Sequence, residues 1–413
     1  MKGLSLGLHE ALGLTLASVR PLPAESAPLM ACVGRVAAAD LRARVDSPPG
    51  PTSRKDGYAL RRQDAAAATA EHPVRLLVIG CVAAGGAADV VLRPGTAVRV
   101  LTGARIPAGA DVVAAEEFVR QDGDAVLIDT LAGTGKNILA QGGDVTQGDL
   151  ALRAGNRISA LDAGLLAAAG HDCAPVHAAP RVGILATGDE IVLPGQALAA
   201  GQLYASNAVT LAGLCRHYGM DTRLGLARDE RPALREALAE LAAGCDALLT
   251  SGGAWRGDRD LVAQVLGELG WEKVFHRIRI GPGKAVGFGL LAGKPVFLLP
   301  GGPPSNLMGF LQIALPGLLA LAGCRDTGLP RLNARLAAGM DDGKLTWTDF
   351  FFGRLAPGEG LPVFQPLPKR SRLAAIARAT AVVAIPEERE RLDPGEVVSV
   401  QLLPGAASLS ADS

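Results

Sequence analysis

VGILATGDE (182–190), DALLTSGG (246–253) and PVFLLPGGPPS (295–305) are the stretches that decide how this chain folds. Each is an apolar, β-like run that stops at a glycine-bearing loop. Each is followed by apolar residues at helical spacing. A helical pattern occupies 206–218 and DTRLGLA (221–227) follows it. Leu234, Leu238 and Leu241 then share a helix face. Leu261, Val265 and Leu269 repeat that spacing after the second run, and 305–321 does so after the third. Strands alternating with helices predict a parallel sheet covered by helices. The expected fold is multidomain α/β plus β, with a central, doubly wound, mostly parallel α/β domain at 180–325.

Outward from that domain the pattern changes. VRLLVIG, TAVRVL, ADVVAAEEF and AVLIDTL are separated by Gly, Pro and Asp, which predicts a small β domain over 47–134. Residues 1–46 read as helical and then extended, and 135–179 as strands returning to that region. The β domain is therefore expected as an insertion. WTDFFFGRLA, VVAIPE and VVSVQLL predict a C-terminal β domain over 326–405. The small, polar tail 406–413 is expected to be disordered.

Composition excludes several classes. The 413 residues suit about three domains at ~150 residues each. Lys+Arg and Asp+Glu both number 41, so the zero net charge gives no footprint for nucleic acid. No apolar run approaches the ~20 residues of a membrane span. Glu10 interrupts the N-terminal apolar stretch, which reads as an amphipathic helix rather than a signal peptide, with Leu8, Leu12, Leu16 and Val19 on one face. The six cysteines are scattered, with no paired spacing, and predict buried thiols in a reducing, cytoplasmic setting. His171, Cys173 and His177 read as a satisfied surface turn.

In an open α/β sheet, ligands bind beyond the carboxyl ends of the strands. This rule selects Thr187-Gly188-Asp189-Glu190, then Thr250-Ser251-Gly252-Gly253 running on to Asp258 and Asp260, and Pro300-Gly301-Gly302 with Ser305. Glycines admit backbone N–H groups to a phosphate. Several carboxylates beside a phosphate make sense when a divalent cation bridges them. With Lys284 of GPGK, the combination predicts a phosphorylated ligand held with Mg²⁺. Each piece has a plainer reading: the glycine pairs as turns, Asp258 as a helix cap, Glu190 as a solvated loop residue. Neither G-x-x-x-x-G-K-[ST] nor a helix-opening G-x-G-x-x-G is present.

At these loops the sequence resembles the molybdopterin molybdenumtransferase family, the MoeA and gephyrin E-domain proteins. PPGPTSRKDGYAL (48–60), VLTGARIPAGADVV (100–113), GILATGDEIVLPG, GQLYASN (201–207), TSGG, FHRIRIGPGK (275–284), KPVFLLPGGPPS and IPEERERLDPGEVVSVQLL follow the family's order over nearly the whole chain. The resemblance implies insertion of molybdate into adenylylated molybdopterin with release of AMP, in a homodimer whose site takes residues from both subunits. A molybdoenzyme or another cofactor-pathway protein would be a further partner. By position it assigns Asp56, Glu190, Asp229, Asp260 and Lys284 to catalysis, with Glu190, Asp229 and Asp260 around Mg²⁺. Thr102, Gly103, Thr187, Gly188, Asp189, Ser251, Gly252, Gly253, Trp255, Asp258, Pro300, Gly301 and Ser305 fall to substrate binding.

The sequence departs from the family where function is expected. Trp255 and Arg256 replace small residues, Gly281 replaces a lysine and Gly302 an asparagine. Leu139 and Ala140 stand for arginines, Thr52 for an asparagine and Ala205 for an aspartate. Lys369, Arg370, Ser371 and Arg372 replace a Gly/Ser turn. Each charged hydrogen bond lost is worth ~1.5–3 kcal/mol, and Arg256, Arg259 and Arg279 are the nearby candidates to replace them. Trp255 reads as a stacking ring, a plug or a packing residue. The retained acids Asp56, Glu190, Asp229 and Asp260, with Lys284, favour an active transferase, and a non-catalytic molybdopterin carrier is the alternative. A protein scaffold has no specific support in the sequence.

Overall fold

The structure, a computed structural model, describes residues 6–130, 135–252, 261–341, 343–368 and 373–405. Its centre is a six-stranded sheet in the order Asp221–Ala227, Arg181–Thr187, Ala247–Ser251, Lys294–Leu299, Gly287–Leu291, Glu272–His276. The first four strands are parallel, and Gly287–Leu291 runs antiparallel to both of its neighbours. The parallel strands 247–251 and 294–299 are buried almost throughout, because helices cover both faces. Ala292 and Gly293, both with positive φ, make the tight turn between the last two strands in sequence.

Two apolar layers enclose this sheet. On one face, Leu234, Leu238 and Leu241 of the helix Arg231–Gly244 pack with Val262, Val265 and Leu266 of Leu261–Glu268. On the other lie the helices Ser206–His217 and 303–321 together with the N-terminal helix Leu8–Ser18. The 303–321 helix is long and apolar enough for a membrane span, contrary to the sequence expectation, but 78% of that stretch is buried. It is a core helix. Pro316 has no N–H for the Gln312 carbonyl, and the helix widens into a π turn over Phe310–Ala314.

The N-terminal region and the segment following the β block pair with each other. Ala24–Pro28 lies antiparallel to Cys173–His177, Leu41–Arg42 to Leu150–Leu152, and Thr52–Ser53 to Ile138–Leu139. Between these, a six-stranded sheet spans Gly57–Leu60 to Ala125–Ile128, with apolar clusters on both faces. In the C-terminal region, Thr348–Ala356 pairs with both Val363–Pro366 and Ala381–Ile385, which closes five strands into a small barrel. A buried amide pair, Gln312 Nε2 donating to Gln401 Oε1 at 2.7 Å, ties that barrel to the core helix.

Several local expectations are corrected. The deepest residues of the first helix are Ala11 and Thr15, with Leu8, Leu12 and Leu16 flanking them half-buried. His171 is buried with Nε2 on the Arg42 carbonyl, and Cys173 and His177 lie in a strand rather than a surface turn. Cys32, Cys215 and Cys245 are buried thiols, whereas Cys81 is exposed on a strand. Residues 369–372 and the tail 406–413 lie outside the described residues.

Phe297 stacks on Phe288 at 5.0 Å between ring centres, and its ring fills the space above Gly317. Phe297→Ala is therefore expected to lower stability by ~3–5 kcal/mol, read as a fall in the urea midpoint. A loss below about 1 kcal/mol would show that this layer repacks freely.

Candidate functional site

The chain runs from Arg181–Thr187 to one neighbouring strand, Asp221–Ala227, and then crosses back to the other, Ala247–Ser251. At such a reversal the following connections leave on opposite sides and open a crevice at the carboxyl ends. A cavity of about 420 Å³ lies there. Thr187, Glu190, Ser251, Gly252 and Gly301 line it, so the structure brings all three predicted loops together.

Glycine makes this convergence possible. Gly252 has φ +110°, and a β-carbon on it would stand 2.5 Å from the Thr187 carbonyl oxygen. Gly188, at φ +142°, lies under the Glu190 carboxylate, 2.6 Å from where a β-carbon would be. Two asparagines hold the loops in place. Buried Asn306 donates through Nδ2 to Ser251 Oγ (3.0 Å) and the Pro300 carbonyl (2.9 Å), and Asn207 Nδ2 donates to the Gly301 carbonyl (2.7 Å). The buried Thr187 Oγ1 faces this region with no protein partner.

The electrostatics come from carboxylates and helix ends. The Asp229 backbone N–H donates to Asp189 Oδ1 at 3.2 Å, which places Asp229 at the same edge. Burial, and then the Asp189 and Glu190 charges, raise the Asp229 carboxyl above its ordinary value of 3.8. Among the described residues no lysine or arginine lines the cavity. Positive potential comes instead from the helix starting at Ser206, whose first residues line it and whose N-cap, Ala205, offers no capping side chain. The helix starting at Pro303 is likewise without a side-chain cap.

Other predicted residues lie elsewhere. Lys284 is exposed on the loop beyond Ile280–Gly281 and is not part of the cavity wall. Ser305 sits in the first turn of its helix with its carbonyl toward Gly283, so it faces the GPGK loop. Asp56 and Thr102 form their own unit in the β block. The Thr102 N–H (2.6 Å) and Oγ1 (2.8 Å) both donate to Asp56 Oδ1 and hold that carboxyl below the usual range. Gly103 beside them has φ +81° and donates to the Ser53 carbonyl. No described residue of that block lines the cavity of its own chain. Gly253, Trp255, Asp258 and Asp260, with Arg256 and Arg259, lie outside the described residues.

One departure has a structural correlate: a β-carbon at position 281 would collide with Oδ1 of buried Asp349, so any side chain there requires Asp349 to shift. Arg279 is not available as a replacement for the family's lysine, because Nε donates to the Thr346 carbonyl (2.7 Å) and Nη2 pairs with Glu387 (3.3 Å). His276, at the same sheet edge, supplies no charge either: burial, with Lys273 and Arg277 nearby, pushes its pKa down to about 4. Sequence reasoning missed Leu203, Tyr204, Ser206 and Asn207 as cavity residues. The only signal for them was the GQLYASN string itself, which carried no assigned role.

These features define an open α/β protein with a ligand crevice at its switch point, flanked by two β-rich regions. Comparison with known proteins gives the class a family. Residues 6–170 match the MoeA N-terminal region (domain I and II), 183–320 a probable molybdopterin binding domain, and 341–403 the MoeA C-terminal region (domain IV). The chain is 33% identical over 406 residues to the molybdopterin molybdenumtransferase of Synechococcus elongatus, covering 96% of this chain and 100% of that one. It is 32% identical to molybdopterin molybdenumtransferase 2 of Mycobacterium tuberculosis, over 90% of this chain and 93% of the relative. A crystal structure of the molybdopterin biosynthesis MoeA protein from Pyrococcus horikosii superposes with a TM-score of 0.78 at 33% identity, covering 96% and 98% of the two chains. The chain belongs to the molybdopterin molybdenumtransferase family.

Two outcomes test this site. Asn306→Leu strands the Pro300 carbonyl and Ser251 hydroxyl and is expected to cost ~1–3 kcal/mol by urea denaturation; no cost would mean the loops hold without it. For Asp229, a raised carboxyl pKa means the folded state binds the proton more tightly than the unfolded chain. Its contribution therefore falls as pH rises through the folded value. In divalent-free buffer, Asp229→Asn should raise the melting temperature at pH 7 and leave it unchanged well below pH 3.8. A lower melting temperature at pH 7 would contradict that sign.

Proposed function

We propose that this protein is a transferase of molybdenum-cofactor biosynthesis that inserts molybdate into adenylylated molybdopterin and releases AMP. The observation that carries the reading is the switch-point cavity, where glycine loops, uncapped helix starts and a carboxylate edge meet in a chain of this family. Backbone N–H groups at the start of the helix Ser206–His217 suit phosphate oxygens, whereas Pro303 and Pro304 supply none at the start of theirs. Thr187 and Ser251 bring hydroxyl-bearing residues to the cavity wall.

Mg²⁺ belongs to this proposal. Burial, and then the neighbouring Asp189 and Glu190 charges, disfavour the ionised Asp229 carboxylate, an imbalance that a divalent cation would relieve. Among the described residues no three such groups are arranged to hold a metal alone. Ligand oxygens, water and Asp260 would complete the shell around Glu190 and Asp229. Bound there, Mg²⁺ would neutralise phosphate charge. Lys284 would do the same from the GPGK loop, with Asp258, Gly253 and Trp255 completing the second loop's contacts. In a homodimer, Asp56, Thr102 and Gly103 would reach the cavity of the partner subunit, in keeping with their absence from the wall of the cavity in their own chain. The Asp56 carboxylate, already held ionised by Thr102, would then orient donors rather than accept a proton. Six free cysteines suit a cytoplasmic location. A molybdoenzyme accepting the product is the expected downstream partner.

Positioning and charge neutralisation dominate chemistry of this kind. Purified protein with Mg²⁺ and adenylylated molybdopterin should release AMP only when molybdate is added. Glu190→Gln should reduce that release about 100-fold, the scale of losing one group that stabilises developing charge. Tight ligand binding with no molybdate-dependent AMP release would reject the transferase and leave a carrier of the cofactor.

A further inference from the structure

Tyr204 is the only aromatic side chain among the described residues that line the cavity, and it has no assigned role. It lies in a two-residue parallel ladder, Leu203–Tyr204 beside Ile191–Val192. The Leu203 N–H donates to the Glu190 carbonyl (2.7 Å), and the Ala205 N–H to the Val192 carbonyl (2.9 Å). The ring is thus fixed between the carboxylate edge and the start of the helix Ser206–His217. Its hydroxyl is anchored outward on the Gln196 carbonyl at 2.9 Å. The side chain nevertheless remains 42% exposed. Another wall of the same cavity is bare backbone: a β-carbon on Gly301 would meet only the Gly252 Cα, at 3.7 Å. An anchored aromatic ring and a wall without side chains make a place for a flat group beside the polar loops.

We infer that Tyr204 is the stacking platform for a fused nitrogen heterocycle of the ligand, a binding residue of the cavity. This inference rests on the reading of the ligand as adenylylated molybdopterin, which carries two such rings, pterin and adenine. A ring stacked on Tyr204 would direct its phosphate-bearing tail toward Ser206, Gly301 and Thr187, where the donors lie. Stacking of this type tolerates different heterocycles, because each presents a π face.

The test uses the full chain as wild type, Tyr204→Phe and Tyr204→Leu. Each is titrated calorimetrically with AMP, with molybdopterin and with ribose 5-phosphate, and folding is checked by melting temperature. Tyr204→Leu should weaken a ring-bearing ligand about tenfold, equivalent to about 1.4 kcal/mol. Tyr204→Phe should stay near wild type, and ribose 5-phosphate should bind all three proteins alike. A loss confined to AMP places adenine on the ring, a loss confined to molybdopterin places pterin there, and a loss with both makes the slot shared. The inference is overturned if Tyr204→Leu binds both ring ligands like wild type, or if Tyr204→Phe loses as much as Tyr204→Leu. Equal weakening of ribose 5-phosphate, or no wild-type binding of either ring ligand, overturns it too. A wild-type protein that binds the rings but releases no AMP with molybdate sinks the transferase reading alone.

Discussion

The close approach of Gly252 to Thr187 is the constraint on which the site depends. The loops after strands 181–187 and 247–251 can touch only because no β-carbon stands between them, and because residue 252 accepts a φ of +110°. Any side chain there would push the second loop off the first, and Ser251 and Gly301 would move with it. The asparagine bonds to Ser251, Pro300 and Gly301 then lock what the glycine allows. Parallel strands in register bring the three loops to one edge, and the glycines let them close on one another.

The cavity wall shows no lysine or arginine among its described residues, so positive potential there has to come from another source. Here it comes from backbone. Ala205 leaves the first N–H groups of the helix Ser206–His217 unclaimed by a capping side chain. Position 281 is a different case. Asp349 is buried against that glycine, and Gly281 pairs with Asp349 along Ile280–Gly281 and Thr348–Ala356. The C-terminal barrel therefore reaches the GPGK loop directly, and Arg279 is drawn to Thr346 and Glu387 of that barrel. The Arg279 charge is engaged at the contact between the α/β domain and the C-terminal barrel.

The same division separates the two halves of the candidate site. Burial, and then the Asp189 and Glu190 charges, raise the Asp229 carboxyl at the sheet edge, whereas Asp56 is satisfied by Thr102 within its own loop. A carboxylate held ionised by neutral donors is suited to orienting a ligand. A carboxylate crowded by others is suited to a cation. These opposite environments arise in different domains of the chain.

The sequence by itself determined the alternation of strand and helix over 181–321, the apolar faces of those helices and the three glycine loops that follow strands. Periods of two and 3.6 residues and the need for φ > 0 are local properties, legible without a partner. Tertiary structure alone decided which loops touch, that Tyr204 and Asn207 enter the cavity, that Arg279 is engaged elsewhere, and that Asp349 is buried against Gly281. It also placed Ala11 and Thr15, rather than the leucines, deepest in the first helix. Those outcomes depend on pairs such as Asn207 with Gly301, or Gly281 with Asp349, far apart in the chain. Packing, rather than any residue's own propensity, selects such pairs, so no local pattern records them.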